Sequence, residues 1–194
     1  SPVFALTEGE LLFTQNKAKE AIPLLEADIR SGKGSGDTYN FLGLAYFQTG
    51  DYEQSVRVFE DALKVPASNK KVVSFNQGNS YYALANYENA VKCYSYSISI
   101  DKNYATAYLN RANSYLMLKK YTESVSDYTV YLKLAPKDPQ RNKIKQLIAL
   151  LTAEIKRLEA QQEDPDFWND VETSSKVQRK LSQLNGKIDS HKAL

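Results

Sequence analysis

The stretch Phe41-Leu42-Gly43-Leu44-Ala45-Tyr46-Phe47-Gln48-Thr49-Gly50-Asp51-Tyr52 is written again, in degenerate form, on both sides of itself. Placing Gly43 over Gly9, Gly78 and Ala112 gives spacings of 34, 35 and 34 residues. Three residues on stand Leu12, Tyr46, Tyr81 and Tyr115, then the small residues Ala21, Ser55, Ala90 and Ser124, and four later Leu25, Phe59, Tyr94 and Tyr128. A period of this size marks a stacked repeat. Small residues at Gly43 and Ser55 let two helices approach closely, and Tyr46 and Phe59 fill the space beside the contact, while Thr49-Gly50-Asp51 reverses the chain between them. Such a hairpin cannot bury both faces alone, so neighbours must share a core.

This pattern resembles the tetratricopeptide repeat family over about residues 2–137, in units of about 2–35, 36–70, 71–104 and 105–137. The resemblance implies an all-α, right-handed solenoid of four helix-turn-helix repeats that acts as a binding scaffold. The first unit is expected to hold helices near Val3–Gln15 and Ala18–Ser31, and the Ser31–Gly36 run to leave slack before the second. The third and fourth units depart from the pattern. Ser74 and Gln77 stand where the second has Tyr39 and Leu42, and Arg111 replaces the same Leu. Arg111 is expected to snorkel its head to the surface. Most of the fourteen tyrosines fall on repeating positions, where a ring packs between helices and the hydroxyl finds a partner.

After the repeats, Asp138-Pro139 reads as an N-cap and first turn. Ile144, Leu147, Ile148, Leu151, Ile155 and Leu158 then form one apolar stripe at helical spacing, a capping helix over 138–162. The tail, 163–194, is expected to complete a helical hairpin, Asn142–Gln162 against Val171–Asp189, with Val177, Leu181, Leu184 and Ile188 as its seam. Residues 157–194, with Asp164-Pro165-Asp166-Phe167-Trp168-Asn169-Asp170 at their centre, resemble the amino-terminal helical region of bacterial peptide chain release factor 2. Nothing in the chain resembles that family's Gly-Gly-Gln hydrolysis loop, so termination activity is not implied.

Composition excludes several classes. Of 194 residues, 25 are Lys or Arg and 23 Asp or Glu, a net +2, which disfavours nucleic acid as the main ligand. No apolar run approaches the ~20 residues of a membrane span. The chain opens Ser1-Pro2 rather than on Met, the start expected of a trimmed or processed protein, and its compartment is left open. His191 lies by the C-terminus and Cys93 within a repeat helix, so neither an acid-base pair nor a zinc set can be assembled. No enzymatic activity, cofactor or metal is expected.

The concave wall that the family resemblance implies would come from the first helix of each repeat. Here it would present Asn40, Leu44, Phe47 and Gln48; then Phe75, Asn76, Asn79, Tyr82 and Ala83; then Leu109, Asn110, Asn113, Leu116 and Met117. Asn76 and Asn110 are equivalent, as are Asn79 and Asn113. A carboxamide both donates and accepts, so such a column could pair with the backbone of an extended peptide. The alternative use of these amides is to solvate the wall or bond the next helix. Family members that clamp a terminal carboxylate use Lys or Arg in this wall, whereas Leu6, Asn40, Phe75 and Leu109 stand at that place here. The expected partner is therefore another protein or an extended peptide, held without a carboxylate clamp. Two alternatives remain: self-association through the C-terminal helices, and, on the release-factor resemblance alone, a translation-associated role.

Overall fold

The computed structural model describes residues 6–163, together with 175–176, 179–180 and 182–183, which are helical and exposed. Among the described residues the helices are α1 (Glu8–Thr14), α2 (Ala18–Arg30), α3 (Gly36–Thr49), α4 (Tyr52–Lys64), α5 (Lys70–Ala83), α6 (Tyr87–Ile100), α7 (Ala105–Met117), α8 (Tyr121–Leu134) and α9 (Arg141–Glu163). None of them is long and apolar enough to cross a membrane. They fall into two compact units, residues 6–101 with α1–α6 and a second beginning at Lys102 with α7–α9.

The first helix of every pair ends in one way. Asn16, Gly50, Ala85 and Lys119 each take left-handed backbone, at φ 63°, 86°, 55° and 58°. The next amide then reaches back five residues: Lys17 N to Leu12 O (3.0 Å), Asp51 N to Tyr46 O (3.0 Å), Asn86 N to Tyr81 O (2.9 Å) and Lys120 N to Tyr115 O (2.8 Å). This closure satisfies carbonyls that the helix end leaves over. Glycine suits the left-handed residue best. The Gly50 break visible in the sequence is thus one of four equivalent breaks, and the other three carry side chains that conceal it.

In the first unit, a Cβ on Gly43 would stand 2.5 Å from the Phe59 ring and one on Gly78 2.6 Å from the Tyr94 ring. Phe59 and Tyr94 are fully enclosed, and burying a ring of this kind is worth about 1.5–3 kcal/mol. Ser55 Oγ donates to Gly43 O (2.7 Å), and in the second unit Ser124 Oγ donates to Ala112 O (2.9 Å). The small position in the second helix is therefore a hydrogen-bonding tie as well as a spacer.

The slack expected at residues 31–36 is absent. Gly32 turns the chain at φ 75°, and Lys33 N bonds Asp28 O (2.9 Å). A Cβ on Gly34 would meet Ile29 Cγ1 at 2.8 Å and one on Gly36 would meet Ser68 Cα at 2.6 Å, so the end of the run is packed against α2 and the α4–α5 connection. The first two pairs are also joined through Glu10, which closes a capping box with Thr7 and accepts from Thr38 Oγ1 (2.7 Å). Composition marked a turn there and could not show what the turn rests on.

Every polar departure from the repeat has a partner. Ser74 Oγ donates to Cys93 O (2.7 Å), and Gln77 lies between Val56 O (3.4 Å) and Cys93 Sγ (3.4 Å). Arg111 does not snorkel. Its Nε and Nη2 bond both oxygens of Asp127 at 2.7 and 2.8 Å, with the guanidinium 5.5 and 5.8 Å from the ring centres of Tyr108 and Tyr115. Leu42 and Val58 share an apolar cluster, whereas Gln77 faces Cys93 and Arg111 faces Asp127, each pair 16 residues apart. The two helices thus change together from an apolar to a polar to an ionic pair.

In the second unit Ile144, Leu147 and Leu151 of α9 are wholly buried against Leu109, Tyr128, Tyr131 and their neighbours. Ile148, Ile155 and Leu158 flank them. The helix starts at Arg141 rather than at Pro139, because Asp138 is engaged earlier: its carboxylate accepts from Gln140 N (2.6 Å) and from the Tyr131 hydroxyl (2.5 Å). Glu154, buried on the same helix, accepts from Nε and Nη2 of Arg157 (2.8 and 2.9 Å). The partner helix expected at Val171–Asp189 and the release-factor-like core at 164–170 lie, apart from six helical positions, outside the described residues.

Candidate functional site

In the first unit the expected wall residues separate into two sets. Leu44 belongs to the core with Phe59, Ala62 and Val73. Phe75, expected to line a pocket, is instead enclosed, its ring 5.7 Å from that of Tyr94. Asn79 is buried and accepts from the Tyr94 hydroxyl (2.9 Å), tying α5 to α6. Asn76 is buried as well; its Nδ2 donates to Asn40 Oδ1 (3.0 Å), a bond from α5 back to α3.

Asn40, Phe47 and Tyr82 are half-buried and Gln48 and Ala83 exposed. The Nδ2 of Asn40 makes no hydrogen bond among the described residues. Phe47 and Tyr82 occupy equivalent places, and each leans on the residue that opens the next helix: Phe47 on Tyr52 (5.3 Å) and Tyr82 on Tyr87 (5.2 Å, edge-on). Burial, with Tyr87 nearby, holds the Tyr82 hydroxyl above the ordinary tyrosine range. Phe47, Gln48, Thr49 and Tyr52 wall one side of an open cleft of 1130 Å³, and Asn16–Glu20 the other. Tyr52 and Tyr87 were not among the expected wall residues. An aromatic pair five residues apart, repeated across the break, was the available signal.

In the second unit Leu109 and Leu116 are core residues rather than pocket linings. Asn113 is buried and accepts from the Tyr128 hydroxyl (2.5 Å), repeating the Asn79–Tyr94 tie. Asn110 is buried, with its backbone carbonyl accepting from Ser114 Oγ (2.9 Å). Met117 alone of this group is exposed. The amide column is therefore largely internal, because a tyrosine hydroxyl from the second helix needs an acceptor once its ring is buried.

Burial pushes the Cys93 thiol up to about 12, with Glu60 adding to the shift. It is a protonated, packed group at neutral pH. No cluster of three or more His, Cys, Asp or Glu that could hold a metal occurs among the described residues.

Family models described as "Tetratricopeptide repeat" and "TPR repeat" match residues 36–69 and 105–138, and 78–119. The matches end at Asp138 and do not reach the release-factor-like segment. The mitochondrial import receptor subunit TOM70 of Rattus norvegicus is 34% identical over 82 residues, 40% of this chain and 13% of that protein. Among solved structures, MamA from Desulfovibrio magneticus RS-1 superposes with a TM-score of 0.66 at 19% identity, covering 94% of this chain and 93% of that one. The first such domain of Spaghetti (RPAP3), bound to the HSP90 peptide SRMEEVD, gives a TM-score of 0.54 at 23% identity, over 59% of this chain and 94% of that one. The chain therefore carries tetratricopeptide repeats, and its fold is the all-α tetratricopeptide repeat fold.

Proposed function

We propose that this chain is a non-catalytic interaction module that holds an extended segment of another protein against the α3–α5 face of its first unit. One observation carries the reading. Two consecutive first helices, α3 and α5, carry the joined amides Asn40, which has an available donor, and Asn76, and further along the same helices the equivalent half-buried aromatics Phe47 and Tyr82, backed by Tyr52 and Tyr87. The amide pair would bond the segment's main chain, and the rings would give purchase to its apolar side chains. Peptide binding by a structural relative, the RPAP3 domain with SRMEEVD, supports this use of the fold.

The segment differs in chemistry from that relative's ligand. Positions where a carboxylate clamp would need Lys or Arg hold Leu6, Asn40, Phe75 and Leu109. An internal, uncharged stretch is therefore favoured over a free acidic C-terminus. The test is calorimetry with peptides selected from a displayed random library and with SRMEEVD. Selected peptides should bind, SRMEEVD should bind at least about tenfold more weakly, and Asn40→Ala with Phe47→Ala should lose ~1–3 kcal/mol of affinity while staying folded by circular dichroism, with a lower melt because the Asn76–Asn40 bond and the Phe47–Tyr52 contact are removed. Equal binding by the double variant would place recognition elsewhere.

A further inference from the structure

The second helix of a hairpin opens on a tyrosine in three of the four copies, Tyr52, Tyr87 and Tyr121, and on Ala18 in the first. Each tyrosine has a companion within its own hairpin. Tyr52 stands 5.3 Å from Phe47 and Tyr87 5.2 Å from Tyr82, and in the second unit Tyr121 shares a core cluster with Leu116, the equivalent of those two. The first hairpin has one ring of such a pair, Phe13, and no ring at position 18 to meet it. Phe13 turns instead to Phe41 of α3, 5.3 Å away.

The surroundings have not closed over the missing ring. Ala18 lines the cleft of 1130 Å³ whose opposite wall is Phe47, Gln48, Thr49 and Tyr52, and a space of about 300–1,000 Å³ is already enough to take a small ligand. Three side-chain chemistries could use walls of this kind. A cation would be drawn to the ring faces, but Lys17 and Lys19, on either side of Ala18, are exposed, have no ion pair among the described residues and outnumber Glu20, the acid of the lining. Like charge at the rim repels it. An aliphatic chain gains by area alone, whereas ring pairs with centres about 4.5–7 Å apart gain beyond their area. Phe47 and Tyr82 each already hold a ring at such a separation. A neutral ring is the occupant that the walls, the rim charge and the other hairpins all favour.

We infer that the cleft between the first two hairpin breaks seats an aromatic side chain of the segment held by the first unit, supplying in trans the ring that Ala18 omits. The inference rests on the reading of the α3–α5 face and extends it, because Phe47 belongs to both. Asn40 and Phe47 are seven residues apart on α3, about 10 Å along the helix, a span that about three extended residues cover. The ligand is therefore an extended segment with Phe, Tyr or Trp about three residues from the main chain that Asn40 bonds.

The experiment uses the full chain and two probes: p-cresol, the tyrosine side chain as a free molecule, followed by amide chemical shifts, and the peptides selected from the displayed library, followed by calorimetry. p-Cresol should saturate and shift the amides of residues 16–20 and 47–52. It should shift none of them in Ala18→Tyr, whose own ring takes the seat and whose melting temperature should equal or exceed the parent's. Selected peptides should share an aromatic residue, and replacing it by Ala should cost at least about tenfold in affinity. Ala18→Tyr should weaken the intact peptide equally, and the two changes together should cost no more than either alone. Should the tyrosine variant fold poorly, Ala18→Leu fills the same floor with a smaller side chain and reads the same loss. Absence of saturation by p-cresol, or shifts that persist in the filled variant, overturns the inference. Selected peptides that share Lys, Arg or Leu in place of a ring also overturn it and give the cleft to that chemistry. So do peptides weakened by Asn40→Ala and not by Ala18→Tyr, a result that leaves the α3–α5 reading in place. The reverse pattern supports the ring seat and overturns that reading.

Discussion

Replacing Asp127 by Val should cost this protein far more than replacing Asp127 and Arg111 together. The Asp127 side chain is 7% exposed and that of Arg111 18%, they share two bonds of 2.7 and 2.8 Å, and Tyr108 and Tyr115 flank the cation. Each charge has been taken out of water on the strength of the other. Removing one leaves a desolvated charge behind, a loss of ~3–5 kcal/mol, whereas replacing a buried pair by well-packed apolar groups is about neutral or stabilising. The second hairpin already shows the apolar solution at the same two places, with Leu42 and Val58 in one cluster. Asp127→Val and Arg111→Leu are each expected to lower stability by ~3 kcal/mol or more, and the double variant to lie within ~1 kcal/mol of the parent. Urea unfolding followed by circular dichroism, with slopes compared to confirm an unchanged unfolded state, reads all four corners of the cycle. If the single losses simply add in the double variant, or if Asp127→Val costs less than ~1 kcal/mol as an exposed pair would, the paired exchange of these positions has no energetic basis.

Three further outcomes are expected. Ala85→Gly and Lys119→Gly should each stabilise by about 0.5–1 kcal/mol in thermal melts, since relief of left-handed strain exceeds the entropy glycine adds to the unfolded chain; the φ values of 55° and 58° are the reason, and a loss of stability in both would contradict it. Gly43→Ala should destabilise by about 1–3 kcal/mol, because its Cβ would stand 2.5 Å from the enclosed Phe59 ring; an unchanged melt would mean that α3 and α4 do not approach as described. Cys93, its thiol pushed up to about 12 chiefly by burial, should resist a disulfide reagent at about pH 8 and react at once on unfolding in guanidinium; rapid labelling of the native chain would show that the helix does not shield it.

The hairpin register was legible in the sequence because it rests on local chemistry repeated several times. A small residue at Gly43 or Gly78, a ring at Phe59 or Tyr94 and a chain-reversing triplet each have one sensible use, and agreement among copies removes the ambiguity of any single one. The stripe from Ile144 to Leu158 was legible for the same reason, since helical spacing declares which face must be covered. The amides were not. Asn79 and Asn113 sit on the first helix at the same spacing whether they face a ligand or accept a proton from Tyr94 and Tyr128, and only the packed second helix, which brings a buried hydroxyl within reach, selects the second use. Ala85 and Lys119 gave no sign of left-handed backbone, because the demand comes from the helices they join and not from the residues themselves. Arg111 read as an exception until Asp127 was placed opposite it. A side chain's partner across a helix contact is a property of two distant positions at once, so it emerges only when the chain has folded and the cost of burying one charge can be set against the other.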